Sequence, residues 1–295
     1  MPNSSDAIQL SFTRTKSKPF LKWVGGKFQL LSQFEPYFET AFKKVNVNRY
    51  IEPFVGGGAV FFHLCNYDRL NEKSILFDNN EELINTFQIV RDNVKDLIVL
   101  LSKHEKKHDR DYYYKIRGLD RVVDLTLSNV ERAARTIYLN RTCYNGLYRV
   151  NSKGQFNVPM GSYKNPKILY EDTLLSANAA LQNSVIETRD FQYSLDIAER
   201  DDFIYFDPPY DPLSKTASFT SYTANNFRYE DQRRLAEVFT ILSDRGCLCM
   251  LSNSYTPFIL GLYKKFRIEK VRASRAVNSD PNGRGAIDEV LVLNY

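Results

Sequence analysis

Apolar residues change their spacing twice along the chain, and the changes divide it. Residues 1–18 are polar, carry Arg14, Lys16 and Lys18 and show no periodicity, which predicts a loose tail. Leu30, Leu31 and Phe34 then recur at helical spacing and predict an amphipathic helix to about Phe38. Tyr50-Ile51-Glu52 and Ser74-Ile75-Leu76-Phe77-Asp78 are short aromatic and β-branched runs that read as strands, with a helix through Val60, Phe61 and Leu64 between them. From Glu82 to about Gln182 the texture turns helical, with patterns over 83–90 and 94–101 and a helix through Val130, Ala133, Ala134, Ile137 and Tyr138. Strand-like runs return at 185–187, 203–206, 247–251 and 287–293, with a helix around Leu235 to Leu242. Strands alternating with helices predict an α/β fold, and the helical stretch reads as an insertion into it. The polar segment from Asp211 to Phe227 has too little periodicity for regular structure, and loops of that length in compact domains are usually functional or mobile.

Composition narrows the class more than the chemistry. At 295 residues, 43% apolar and 25% charged, the chain has the make-up of a soluble globular protein with a full core. No apolar stretch reaches membrane-spanning length, and the amino terminus lacks the apolar run of a secretory signal, so a cytoplasmic protein is expected. Forty basic against 35 acidic residues permit nucleic-acid binding without demanding it. The four cysteines, at positions 65, 143, 247 and 249, include no C-x-x-C and read as small buried apolar residues, not as disulfides or zinc ligands.

The chemistry collects where strands end. Phe203-Ile204-Tyr205-Phe206 runs into Asp207-Pro208-Pro209-Tyr210, and two prolines cannot continue a ladder. The result is a stiff corner at a strand's carboxyl end, where open α/β sheets bind ligands. Asp207 brings an acceptor-only carboxylate, the prolines bring carbonyls, and Tyr210 brings a flat aromatic face. That set can hold a planar exocyclic amine by its hydrogens while a ring stacks behind it. Asp and Pro are also ordinary turn residues, but chance would produce this tetrad in such a chain only about once in a few hundred. Earlier, Glu52-Pro53-Phe54-Val55-Gly56-Gly57-Gly58 joins a strand to a helix through bare backbone that can face a polar ligand edge. It is not the full dinucleotide fingerprint, because Phe61 stands at the third glycine. Asp78 ends the next strand, where an acidic residue would hold ribose hydroxyls, although Asp78-Asn79-Asn80-Glu81 also suits a helix cap. Trp23-Val24-Gly25-Gly26-Lys27 precedes the first helix. A P-loop reading of it fails, since Leu21 occupies the first glycine position and Phe28 replaces the Ser or Thr. Asp190, after the strand near Val185, could accept from an adenine amine.

Two motifs lie in the helical stretch. His104-Glu105-Lys106-Lys107-His108 matches the zinc-protease pattern, but its charged flanks mark a solvated helix end and no third histidine lies nearby, so no metal is expected. Asn145-Gly146 and Lys153-Gly154 bracket a short strand and predict a hairpin. Basic, amide and aromatic residues alternate along it, the mix that meets base edges and phosphates, and also one found on solvated hairpins.

With Trp23-x-Gly-Gly-Lys27, Phe54-x-Gly56-x-Gly58, the Arg141-to-Arg149 hairpin, Asp190-Phe191 and the Asp207-to-Phe227 stretch in view, the chain resembles the DNA adenine methylase (Dam) family from about Pro19 to Tyr295. The resemblance implies a Rossmann-like, S-adenosylmethionine-dependent methyltransferase sheet, residues 19–82 and 184–295, with an inserted helical target-recognition domain at 83–183. It implies a cofactor pocket from Trp23, Lys27, Phe54, Gly56, Asp78, Asp190, Phe191 and Asp207. It further implies catalysis by Asp207, Pro208, Pro209 and Tyr210, and DNA contacts from Arg149 on a guanine with Tyr144, Asn145 and Pro159 beside it. The partners implied are S-adenosylmethionine and double-stranded DNA, usually at GATC, without metal or membrane, and a cognate restriction endonuclease encoded nearby. The same tetrad would also suit an RNA adenine or protein amide methyltransferase, and a DNA-binding regulator without catalysis is a more distant alternative.

Overall fold

The structure is a computed structural model that describes residues 16–70, 73–212, 227–274 and 286–295. Most of the predicted polar loop, 213–226, and the loop holding Arg284 lie outside the described residues.

Seven strands form one sheet: β1 (Tyr50–Glu52), β2 (Ser74–Asp78), β3 (Ser184–Thr188), β4 (Phe203–Phe206), β5 (Leu248–Ser254), β6 (Arg267–Ser274) and β7 (Ala286–Leu293). Their order is β3-β2-β1-β4-β5-β7-β6. The first five are parallel, and β7 runs antiparallel between β5 and β6. Period-two alternation sorts their side chains onto two faces. Tyr50, Leu76, Phe203, Tyr205 and Met250 join one apolar cluster, and Ile51, Phe77, Ile204, Phe206 and Leu251 join the other. Both faces are therefore covered, as a parallel sheet requires. This is a Rossmann-like architecture, a mixed α/β fold.

Helices α1 (Leu31–Lys44), α2 (Ala59–Asn66), α3 (Glu81–Asp92) and α7 (Glu171–Leu181) contribute to the first cluster. The second is covered by α8 (Ser194–Ile197), α9 (Tyr229–Arg245) and α10 (Pro257–Leu262). Between α3 and α7 come α4 (Val94–Lys106), α5 (Arg110–Arg117) and α6 (Asn129–Thr142). Helix α6 opens with a full capping box, Ser128 and Glu131 satisfying each other's backbone N–H groups. Tyr113, Ala133, Ile137 and Tyr138 of this stretch belong to the same cluster as the sheet residues, so insert and sheet share one core. Helix α3 sits against the sheet edge, where Gln88 Nε2 donates to Ile186 O (2.8 Å) and Arg91 Nη1 to Ser184 O (2.7 Å).

Three local expectations change. The first helix runs on to Lys44 and is preceded by a 3-10 turn over Lys27–Gln29. Strand β6 was not visible in the sequence because Arg267, Glu269, Lys270 and Arg272 break its apolar pattern, the composition of a protected edge strand. The tail expected over 1–18 is pinned at its end, where buried Ser17 is held by Asn66: Ser17 N donates to Asn66 Oδ1 at 2.8 Å and Asn66 Nδ2 to Ser17 O at 2.8 Å.

Candidate active site

Strand β1 leads outward to β2 on one side, and its neighbour β4 leads to β5 on the other. Such a reversal opens a crevice beyond the carboxyl ends of the two strands. Asp207 stands at that point, directly after β4. Lys27 reaches it from the turn after Gly25-Gly26: its Nζ lies 2.7 Å from Asp207 Oδ1 and donates to Gly25 O at 2.6 Å. Ser252, on β5, donates to the same Oδ1 at 2.9 Å, and its own hydroxyl lies 2.9 Å from that of Tyr205.

Tyr210 lies beneath Lys27, with Nζ 4.6 Å from the ring centroid, and its hydroxyl donates to Glu289 Oε2 on β7 at 2.8 Å. The corner itself is fastened. Gln232 Nε2 donates to Pro209 O (2.9 Å), Asn253 Nδ2 donates to Gln232 Oε1 (3.1 Å), and Asp211 N donates to Asn253 Oδ1 (3.1 Å). Lys27 is one cation among three carboxylates, Asp207, Glu52 and Glu289. Burial pushes all three above the ordinary carboxylate range. Lys27 opposes this at each of them, while repulsion from Asp207 adds to it at Glu52 and Glu289. Tyr50 donates to Glu52 Oε2 at 2.8 Å and holds it in place. The repulsion from Asp207 at Glu52 and Glu289 is what an added positive charge would relieve.

Beside this cluster the glycine turn lies open-backed. Gly56 and Gly58 hold φ of +47° and +71°, and a Cβ on Gly56 would come within 3.0 Å of Trp23 Cδ1. Trp23 thus packs directly on the turn, which only glycine permits. Asp78 accepts from Gly56 N (3.3 Å) and Asn80 N (3.0 Å), and burial pushes its carboxyl up to about 6 against the help of those N–H groups. Asn80 is the true cap of α3, accepting from Leu83 N, so Asp78 is not consumed by capping. Phe54 and Phe191 stack with centroids 5.5 Å apart, and Phe227 closes on Phe54 edge-on at 5.7 Å. Asp190 accepts from Gln192 N and from Arg234 Nη2, both at 3.0 Å, and the Arg234 guanidinium covers Phe191 at 4.5 Å. The partly exposed Phe54 ring, an acceptor near it and a half-buried carboxylate at a neighbouring strand end suit a nucleoside. The acidic cluster beyond suits a cationic group attached to it.

The predicted hairpin is a loosely paired ribbon, joined by isolated bridges at Cys143↔Met160 and Val150↔Phe156. Asn145 takes φ of 54° in the first turn, and Asn151 and Gly154 form the second. Arg149 is exposed, its Nε donating to Asn157 Oδ1 at 2.6 Å. Tyr144, Asn145 and Pro159 are also exposed, and Tyr144 N donates to Pro159 O at 2.9 Å. The ribbon is tied to the segment before the first helix: Asn140 receives Lys22 N (2.8 Å) and donates to Lys22 O (2.7 Å) and Gly146 O (3.0 Å). The neighbouring zinc-protease pattern is put to structural use. Glu105 accepts from Ile168 N and Leu169 N, His104 is paired with Tyr112, and His108 with Tyr138.

Sequence reasoning did not find Ser252, Glu289, Arg234, Asn140 or Tyr148. The polar run Ser252-Asn253-Ser254 at the end of an apolar strand, fully buried here, was the one available signal.

Residues 23–277 match the family described as D12 class N6 adenine-specific DNA methyltransferase. The chain is 44% identical over 281 residues to the Type II methyltransferase M1.LlaDCHI of Lactococcus lactis subsp. cremoris, covering 94% of this chain and 95% of the relative. It is 46% identical over 288 residues to the Type II methyltransferase M.MjaIII of Methanocaldococcus jannaschii, covering 94% and 99%. The DNA adenine methylase of Haemophilus influenzae is 36% identical over 284 residues, covering 95% and 94%.

Proposed function

The chain belongs to the D12 class of N6 adenine-specific DNA methyltransferases, and we propose that it methylates an adenine flipped out of duplex DNA at GATC, with S-adenosylmethionine as donor. The observation that carries this reading is the convergence of Lys27, Asp207 and Tyr210 at the crevice between β1 and β4, beside the strand-end residues Phe54, Asp78 and Asp190.

S-adenosylmethionine fits what the residues offer and supplies an electrophilic methyl on a sulfonium. Asp78 would accept from its ribose, Phe54, backed by buried Phe191, would hold its adenine with Asp190 at the amine, and Trp23 and Gly56 would form the wall. The excess of carboxylates around Lys27 favours its positive charge.

Adenine N6 is a poor nucleophile because its lone pair is delocalised into the ring. Unstacking the base costs a few kcal/mol, offset in part by stacking on Tyr210. Asp207 and the Pro208 carbonyl accept the two N6 hydrogens and turn the lone pair toward the methyl carbon. Pro209 keeps the corner stiff. The N6–carbon bond would form as the carbon–sulfur bond breaks, the sulfur keeping that electron pair and leaving as a neutral thioether. The extra amine proton would then pass by way of Asp207 to water. Placement and fixed charges, not prior deprotonation, accelerate the step.

Residues 83–183 form the target-recognition part. Arg149 reads a guanine of GATC, with Tyr144, Asn145 and Pro159 on neighbouring bases or phosphates. The two relatives named Type II methyltransferases support a protective role beside a restriction endonuclease encoded nearby.

The test is methyl transfer from labelled S-adenosylmethionine to matched duplexes, one with GATC and one with its adenine replaced. Label on the first alone supports the whole reading. Equal label on both discards GATC, and label on neither, with RNA or protein labelled instead, discards DNA as the substrate.

A further inference from the structure

Asp207 has two oxygens, and among the described residues both side-chain donors that reach it hold the same one. Lys27 Nζ lies 2.7 Å from Oδ1, and Ser252 Oγ donates to Oδ1 at 2.9 Å. A carboxylate gripped at one oxygen from two directions cannot rotate about its Cβ–Cγ bond without breaking a charge-assisted hydrogen bond. No donor among the described residues reaches Oδ2, which leaves it for an incoming group.

Ser252 is itself fixed. It is fully buried on β5, and its hydroxyl lies 2.9 Å from that of Tyr205, whose side chain is fully buried on β4. The register explains the meeting. Tyr205 pairs with Met250 and Phe206 with Leu251, so Asp207 and Ser252 follow as the next neighbours, and Tyr205 lies two residues before Asp207 on the same face. One hydrogen serves each link: Ser252 gives its own to Asp207, so Tyr205 gives its phenolic hydrogen to Ser252.

We propose that Ser252, oriented by Tyr205, is a positioning residue that aims Oδ2 of Asp207 at the amine to be methylated. This rests on the assignment of Asp207 as the group that holds the amine. Lys27 supplies charge at that oxygen from the turn, and Ser252, held by Tyr205, supplies a second donor from the sheet, so the two fix the carboxylate from different directions. Neither hydroxyl touches substrate or cofactor; both act through Asp207.

The arrangement also carries a pH signature. Lys27, Glu52, Glu289, Tyr205 and Tyr210 surround Asp207, burial raises its pKa, and Lys27 and Ser252 oppose the rise. The carboxylate is the form that can accept an amine hydrogen. Loss of the Ser252 hydroxyl therefore moves the acid limb of the rate profile to higher pH.

The experiment compares single-turnover methylation of a GATC duplex across pH by the wild-type protein, Ser252→Ala, Tyr205→Phe, the double variant and Asp207→Ala, with cofactor affinity measured for each. The expected result is a loss of about ten-fold or more for Ser252→Ala, with cofactor affinity within about two-fold and the acid limb moved up. Tyr205→Phe loses less, and the double variant loses no more than Ser252→Ala, because Tyr205 acts through Ser252. A Ser252→Ala rate near wild type, an unmoved acid limb or additive losses overturns the proposal. Should Ser252→Ala not fold, an unchanged rate and profile in Tyr205→Phe overturns it. An active Asp207→Ala overturns instead the assignment on which it rests.

Discussion

Trp23 and Tyr148 stack with ring centroids 5.5 Å apart and planes inclined by 29°. Trp23 lies on the glycine turn at Gly56, and Tyr148 immediately precedes exposed Arg149 on the ribbon. The two halves of the proposed reaction, holding the donor and reading the DNA, therefore meet in one aromatic contact. Such pairs contribute about 0.5–1.5 kcal/mol beyond their area burial. Trp23 is the only tryptophan, so its emission reports the contact directly. Tyr148→Ala should shift that emission in the free protein and weaken both cofactor binding and discrimination among DNA sites, whereas Tyr148→Phe should leave all three close to wild type. Fluorescence titration with S-adenosylmethionine checks the first two effects.

Lys27 is the only cation facing Asp207, Glu52 and Glu289 among the described residues. Lys27→Met removes the charge that opposes the rise in the Asp207 pKa. Asp207 should then hold its proton to higher pH, so methyl transfer is depressed near neutrality and partly recovers as pH is raised. A pH–rate profile displaced upward from wild type is the expected outcome.

Burial raises Asp78 to about 6 from an ordinary 3.8. The folded chain thus binds this proton more tightly than the unfolded chain does. The sign follows: between about pH 4 and 6 ionisation of Asp78 costs stability, so the ligand-free protein loses stability as pH rises through that window. Cofactor hydroxyls need the carboxylate, so cofactor affinity should fall as pH drops through about 6. Asp78→Asn should remove this contribution to the melting temperature's pH dependence and weaken cofactor binding at pH 8. Thermal melts and titrations from pH 4.5 to 8 measure both.

Arg149→Ala should relax discrimination at one guanine of the target by about 1–3 kcal/mol while leaving other positions as selective as before. Equal losses on GATC and on altered sites would make Arg149 a phosphate contact. Competition between duplexes that differ at single base pairs separates the two.

What could be read from the sequence follows from where local signals are strong. Strand β4 ends where Phe203-Ile204-Tyr205-Phe206 meets two prolines, so its end and the place of Asp207 were legible to the residue. Asp78 and the glycine turn were legible for the same reason, as strand ends leading into helices. Ser252 and Glu289 were not, because they reach Asp207 and Tyr210 from 45 and 79 residues away through sheet register alone. The hairpin's turns were legible from Asn145-Gly146 and Lys153-Gly154. Its docking was not, since the link runs through Asn140 to Lys22, 118 residues away.

The most direct measurement digests a GATC duplex to nucleosides after incubation with S-adenosylmethionine and analyses them by mass spectrometry, for the wild-type protein and for Asp207→Ala. The account predicts N6-methyldeoxyadenosine from the wild type at one adenine per strand, and none from Asp207→Ala although that variant still binds the duplex. Methylation on another base, or an Asp207→Ala yield equal to wild type, would contradict it.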